Sequence, residues 1–249
     1  MITKKQLNKF LRKWNVELHG VNYMQALRAG SMSINEFDFF RTKIRNSTPV
    51  IFDVGANRGV TVQRFLQVFP EARIFAFEPL PGMFQELSAK FSNNSNIGIY
   101  EFGITDKKSS STFYVNHSLD TSSLLPGEKT GLNSDRSVKK VSEIMVNTIT
   151  LDDFAFANNI RKIDILKLDI QGSELSALKG AVNLLRNGSI GMIYCETYFI
   201  KQYQDQPLFL DIAKFLSEYN FKVQDIYNRI YGNGSIAWCD TIFIKSDLD

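Results

Sequence analysis

IFDVGANRGVT, residues 51–61, decides the fold. It begins inside the apolar run PVIFDV (49–54), which Gly55 stops, and from Arg58 to Phe69 helical spacing runs through Val62, Phe65, Leu66 and Phe69. A strand that enters a glycine turn and leaves as a helix is the opening unit of a buried parallel sheet. Gly55 permits the tight turn, and Gly59 lets backbone and ligand approach closely. The spacing Gly55-Ala56-Asn57-Arg58-Gly59 is not the dinucleotide pattern GxGxxG. Asp53 also stands two residues before the first glycine. A carboxylate at that strand end repels a pyrophosphate. It suits a ligand with an amino group and a sulfonium, as in S-adenosyl-L-methionine.

Outward from this stretch the chain alternates strand and helix. ARIFAFEP (72–79) is a strand ended by Pro79, Pro81 to Phe91 a helix, and IGIYEFGI (97–104) a third strand. Beyond residue 150, KIDILKLDI (162–170) and IGMIYCET (190–197) are strands. Ser173 to Leu185 is helical with a break near Gly180, and Pro207 to Tyr219 is a helix. FKVQDIY (221–227) and AWCDTIFIK (237–245) close the chain as an antiparallel pair. The order predicts an α/β fold, an open and mostly parallel sheet with right-handed crossovers. Residues 105–150 interrupt it as a polar insertion with β-like pieces STFYV and IMVNTI and a loop from Asn116 to Lys139. Before it all, residues 1–48 read as an N-terminal helical extension or cap, leaving a catalytic domain over 49–249. Leu7, Phe10, Leu11 and Trp14, then Ile34, Phe37, Phe40 and Ile44, carry the helical period, and Ser33 and Glu36 give a capping-box start.

Composition limits the function. Hydrophobic residues are 44% and charged residues 22% of 249, as in a globular chain. Against 26 Asp+Glu, 29 Lys+Arg leave a net charge of only +3, too small for a phosphate-tracking surface, so no nucleic-acid partner is expected. The cluster Lys4, Lys5, Lys9, Arg12, Lys13 reads as a solvated helix face. Cys195 and Cys239 sit in apolar runs, and with two His in all, neither a disulfide framework nor a multi-histidine metal site is expected. The first residues lack a signal-peptide core and no run of 18 apolar residues occurs, so no membrane span and a cytoplasmic location are expected. An amphipathic N-terminal helical pair is compatible with a homodimer.

The acids gather at strand ends. Glu78 lies nineteen residues after Gly59, where nucleoside-binding α/β folds place an acid for the ribose hydroxyls. Asp106, after the third strand, is a candidate for the adenine amino group or an ordinary turn residue. Asp169 ends a hydrophobic strand within LKLDIQGSE (166–174) and is placed for the reacting end of the cofactor; Lys167 shares its strand face. Glu174 is either a site acid or a first-turn charge on the helix dipole. Glu196 is a third acid on the rim, and His117, in the stretch before DTSSL, is either a fourth candidate base or an ordinary surface histidine. Tyr194, Tyr198, Phe199 and Tyr203 follow a strand end and either stack on an acceptor or pack under the N-terminal helices.

DVGANRG (53–59), FEP (77–79), DTSSL (120–124), TLDDF (150–154) and KLDIQGSELSALKG (167–180) together resemble the FkbM-type family of S-adenosylmethionine-dependent methyltransferases, over roughly residues 49–245. The resemblance implies a seven-stranded class I methyltransferase sheet, Rossmann-like with helices on both faces, and O-methylation of a hydroxyl of a sugar, glycan or natural product. It implies cofactor binding by Asp53, Gly55, Asn57, Gly59, Glu78 with Pro79, and Asp106, with Ser122 and Ser123 on the active-site loop. Asp169, Gln171, Gly172 and Glu174 come to lie beside the transferred methyl group, Asp169 touching the cofactor as well. Many relatives carry an acid where this chain has Gln171, which removes that position as a base. An alcohol is a poor nucleophile at neutral pH, so a carboxylate base is expected from Asp169, Glu174 or Glu196. The same three acids are an alternative set of oxygen ligands for a divalent ion, although no metal is assigned. Competing readings are an NAD-dependent oxidoreductase, against which Asp53 and the missing GxGxxG count, a non-catalytic cofactor-binding module, and RNA methylation.

Overall fold

A computed structural model describes residues 35–128, 138–232 and 234–246. The chain divides into two compact units, Met1–Asn35 and Glu36–Asp249. The helices expected before residue 34, the basic cluster and residues 129–137 of the long loop lie outside the described residues.

The second unit is built on a seven-stranded sheet. Its strands are β1 (Val50–Val54), β2 (Arg73–Phe77), β3 (Ile97–Tyr100), β7 (Ile163–Leu168), β8 (Ile190–Tyr198), β9 (Phe221–Gly232) and β10 (Ser235–Lys245). Their spatial order is β3-β2-β1-β7-β8-β10-β9. The first five are parallel to their neighbours; β10 runs antiparallel to both β8 and β9. The chain moves outward from β1 to β3 and returns to β7 on the other side of β1. The crevice between β1 and β7 is therefore the topological switch point, where such sheets bind ligands. The remaining strands, β4 (Gly103–Ile104), β5 (Ser109–Asn116) and β6 (Lys140–Ile149), form a second sheet in the order β4-β6-β5.

The expected third strand is thus two strands in two sheets. The Phe102 N–H turns back to the Tyr100 carbonyl at 3.0 Å, and the chain leaves the main sheet there. STFYV and IMVNTI are strands, as expected. They pair antiparallel, with Ser109 opposite Thr148.

Helices cover both faces because alternate strand residues point to opposite sides. On one face Phe52, Leu166, Ile193 and Cys195 pack with α4 (Leu151–Ala157), α5 (Glu174–Lys179), α6 (Val182–Arg186) and α7 (Phe209–Ser217). Cys195 and Cys239 are free and buried, as expected of thiols in apolar runs. The TLDDF stretch serves this packing. Thr150 Oγ1 accepts the Asp153 N–H, and the Asp152 carboxylate accepts the N–H groups of Asn183 and Leu184 at the start of α6.

On the other face lie α1 (Glu36–Lys43) and α2 (Val60–Val68), with α3 (Pro81–Phe91) packed against α2 and β3. Phe37 and Phe40 of α1 pack on Phe65 of α2 and on Tyr194 of β8, with ring centroids 5.1 to 6.4 Å apart. Glu36, buried, pairs with Arg64 at 2.9 Å. This packing makes α1 a layer of the sheet domain. The compact unit begins at Glu36, ahead of the boundary expected at 48–49. No helix among the described residues is long and apolar enough to cross a membrane.

Gly55 is the tightest point. It sits at φ 78, and a Cβ built on it would lie 1.9 Å from the Asp169 carbonyl oxygen, a backbone atom with nowhere to go. Gly55→Ala is expected to lower stability by roughly 2–5 kcal/mol, from overpacking together with left-handed strain. Gly82→Ala, which meets no atom within 4 Å inside α3, is the control and stays within about 1 kcal/mol of the parent. Urea unfolding of both variants measures the difference.

Candidate functional site

The ends of β1, β2 and β7 open into a cavity of about 350 Å³. Its floor is the β1–α2 turn from Val54 to Arg58, and one wall is Phe77 to Leu80 with Met83. Phe102, Gly103 and Ile104 form a second wall, brought there by the break between β3 and β4. Leu119, Asp120, Ser122 and Leu124 cover it from above, and Lys167, Asp169, Ile170 and Gln171 close the β7 side.

Gly55, Asn57, Glu78, Pro79, Ser122 and Asp169 therefore border one space, as the sequence suggests. Each Glu78 oxygen holds one backbone N–H, of Asn57 and of Leu80, both at 2.9 Å. Burial raises its pKa, and those two hydrogen bonds pull the other way. Asn57, in the left-handed region at φ 48, donates its Nδ2 to Asp120 Oδ1 at 3.0 Å, which ties the turn to the covering loop. Its Oδ1 is buried and takes no hydrogen bond.

Asp53 does not reach the cavity. It is fully buried and paired with Lys167 Nζ at 2.9 Å. Lys167 Nζ also donates to the Gly55 carbonyl at 2.8 Å and lies 3.7 Å from Asp169 Oδ2. Asp169 keeps 42% of its side chain exposed, so it is the carboxylate of this set that faces outward.

Gly59 also stands behind the lining. A Cβ there would meet Leu87 and Phe91 at 2.6 Å, so its role is the approach of α2 to α3 and not of a ligand. Asp106 is exposed; its N–H donates to Ser176 Oγ at 3.2 Å, the arrangement of a turn residue, and the wall where adenine contact was expected is Phe102 to Ile104. Ser123, fully buried, donates its hydroxyl to the Gln171 carbonyl at 2.7 Å and accepts the Leu125 N–H. His117 is exposed and outside the lining.

Glu174 is fully buried, and its Oε1 accepts the N–H groups of Ile170 and Gly172 at 3.0 and 3.1 Å. It staples the turn that follows Asp169. Glu196 is half-buried beside that turn, held by Gln171 Nε2 at 2.8 Å and by the Tyr198 hydroxyl. Among the described residues no cluster of three or more His, Cys, Asp or Glu is placed to hold a metal ion. The aromatic set packs inward. Tyr194, Tyr198 and Tyr203 are buried, Tyr194 against Phe37 and Phe40, while Phe199 stacks on Phe209. None of the four borders the cavity.

Asp120 was not expected at the site, although it stands in the DTSSL stretch with Ser122 and Ser123. Gln171 was expected beside the methyl group only through the family resemblance; its partners come from three distant segments, which no spacing reveals.

The profile described as "Methyltransferase FkbM domain" matches residues 53–223. The chain is 26% identical to the 2-O-methyltransferase NoeI of Sinorhizobium fredii over 75% of this chain and 76% of that protein. It is 24% identical to the hexuronic acid methyltransferase AglP of Haloferax volcanii, over 68% of this chain and 64% of that protein. Among solved structures, fibrillarin of Aeropyrum pernix superposes with a TM-score of 0.48 at 11% identity, over 89% of this chain and 73% of that one.

Glu174 gives the site a pH signature. Burial raises its pKa from 4.5 to about 7, against the pull of its backbone hydrogen bonds. A carboxyl raised in the folded state binds its proton better folded than unfolded. The stabilisation is full below the unfolded value and is lost as pH rises through about 7. Stability measured by urea unfolding is expected to fall between pH 5 and 8, and Glu174→Gln is expected to remove roughly 2–4 kcal/mol of that fall. Equal slopes in the two proteins contradict it.

Proposed function

The chain belongs to the FkbM methyltransferase family, and on that premise we propose that it methylates a hydroxyl of a sugar unit, in a glycan or a natural product, with Asp169 as the base. It is an S-adenosylmethionine-dependent methyltransferase. The observation that carries the proposal is the position of Asp169. Of the three acids expected to serve as base, Asp169 borders the cavity and Glu174 and Glu196 do not. The sugar class rests on the relatives, whose names specify 2-O-methylation and hexuronic acid methylation.

The residues present fit the cofactor. Its ribose and amino groups are hydrogen-bond donors, and the cavity is bordered by the Glu78, Asp120 and Asp169 carboxylates as acceptors. Glu78 would take the ribose hydroxyls. Phe102, Gly103, Ile104, Leu80 and Met83 would enclose the adenine, and the Gly55 turn with Asp120 would hold the amino-acid end. When bound, the cofactor supplies an electrophilic methyl group on a sulfonium. The chain itself orients the acceptor, excludes water beneath the covering loop and takes a proton. Asp169 Oδ1 is held by Gln171 and Oδ2 lies by Lys167, which leaves the exposed part of the carboxylate to accept the hydroxyl proton as the oxygen attacks.

Incubation with methyl-labelled S-adenosylmethionine and a panel of methyl hexosides, 6-deoxyhexosides and hexuronides, read by mass spectrometry, tests the acceptor class. A methylated glycoside is expected, and transfer confined to non-sugar alcohols overturns it. Asp169→Asn is expected to lower the transfer rate by about 10²–10⁴-fold with cofactor binding intact by calorimetry. Glu78→Gln is expected to weaken cofactor binding by about 10- to 100-fold, the loss of a charge-assisted hydrogen bond. Full turnover by Asp169→Asn removes Asp169 as the base.

A further inference from the structure

Gln171 borders the cavity two residues after Asp169, at φ 56, and touches the base without itself taking the proton. Its Nε2 donates to Asp169 Oδ1 at 3.0 Å and to Glu196 Oε2 at 2.8 Å. Its Oε1 lies 2.8 Å from the Tyr203 hydroxyl and 3.2 Å from the Tyr198 hydroxyl, each of which shares its one proton with a second acceptor, the Thr121 carbonyl and Glu196 respectively. Its backbone carbonyl accepts from Ser123 Oγ at 2.7 Å. An amide has two N–H bonds, and both here end on a carboxylate oxygen. The partners also fix which way the amide faces. Turned over, its oxygen would meet both carboxylates, Asp169 and Glu196.

The surroundings leave little positive charge for a further acid. The ionisable groups that feel the Asp169 charge are Lys167 beside it, Asp53 on β1, Glu196 and Cys195 on β8, Glu174 on α5, Asp240 on β10 and Tyr203 from the loop after β8. Lys167 is the cation of this group and is engaged by Asp53 and the Gly55 carbonyl. Burial, and then the Asp169 charge, push the Glu196 carboxyl well above the usual carboxylate range.

We propose that Gln171 is the positioning residue of the transfer: its amide fixes the Asp169 carboxylate at the cavity edge and joins it to Glu196 through a neutral donor. The proposal rests on the reading of Asp169 as the base. Gln171 holds the direction in which Asp169 presents its free lone pairs, and Tyr198, Tyr203 and Ser123 hold Gln171. A carboxylate in its place would stand within hydrogen-bond distance of two other carboxylates with no cation to spare, and the three would retain a proton at neutral pH.

The test uses the full chain with Gln171→Glu and Gln171→Ala, each checked for folding by circular dichroism. Binding of S-adenosylmethionine is followed by calorimetry, and the ionisation of ¹³C-labelled Asp and Glu carboxyl carbons by NMR titration. Q171E is expected to bind cofactor and to show one more carboxyl titrating near neutral pH than the parent, about two units or more above an ordinary glutamate near ~4.3. If the added carboxyl titrates as an ordinary glutamate, the amide does not lie between two acids and the proposal falls. Should Q171E fail to fold, Q171A decides. Its crystal structure is expected to show the Asp169 side chain turned from its place, and a carboxylate left where it was overturns the proposal. Failure of the parent chain to bind S-adenosylmethionine overturns the cofactor assignment instead, and the titration still reads the amide.

Discussion

The Lys167 ammonium, buried in the middle of the sheet, is where two strand ends and the glycine turn are tied together. It pairs with Asp53 across the β1–β7 register and donates to the Gly55 and Val54 carbonyls at 2.8 and 3.3 Å. Burial favours loss of its proton, but the charges of Asp53 and Asp169 outweigh that and hold the amine charged. Such a pair adds little net stability, because both charges leave water. Breaking it is expensive, about 3–5 kcal/mol, because the survivor stays buried alone. Asp53 is consumed in this bond. The carboxylates that border the cavity are therefore Asp169 and Glu78 at strand ends and Asp120 in the covering loop.

Around that anchor the backbone is held in conformations it would not choose. Gly55, Asn57, Gln171 and Gly172 all have positive φ, and three of them line the cavity. Two are not glycine, and each such residue costs of order 1–3 kcal/mol unless its surroundings fix it. Here they do. Asn57 is tied through its N–H to Glu78 and through its side chain to Asp120. Gln171 sits in a turn whose flanking N–H groups both end on Glu174. Strained backbone, a buried acid staple and an oriented amide thus form one construction, which aims Asp169.

The sheet was readable because its signals are local. Apolar runs, glycine stops and helical periods place β1, β2, β7 and β8 correctly, and the ends of these strands locate the cavity. The second sheet was half readable: STFYV and IMVNTI were visible as strands, but nothing in IGIYEFGI marks the turn at Glu101-Phe102 that divides it. The site roles diverged for a related reason. Asp53 and Asp169 look alike in sequence, each ending a strand. Register with Lys167 buries the first, whereas Asp169 lies one residue beyond β7, where the sheet no longer covers it. Tyr194, Tyr198 and Tyr203 look like a stacking surface until the rings are found inside, their hydroxyls directed at Asp240, Glu196 and Gln171.

The β1–α2 turn also separates this site from a nicotinamide-binding one on grounds stronger than a missing GxGxxG. A dinucleotide site needs free backbone N–H groups at the turn to hold a pyrophosphate. Here the N–H groups of Gly55 and Ala56 both end on the Phe77 carbonyl at 3.0 Å, that of Asn57 on Glu78, and that of Gly59 on the Ala56 carbonyl at 2.8 Å. The turn has spent these donors within the protein, and the acid beside it at the cavity is the Glu78 carboxylate, an acceptor. The buried Lys167 charge is already matched by Asp53 and is not offered to a pyrophosphate. A ligand bearing hydroxyls, an ammonium and a sulfonium meets complementary chemistry at each of these points. The small net charge of +3 is no guide to this, because what selects the ligand is how the donors of a single turn have been used.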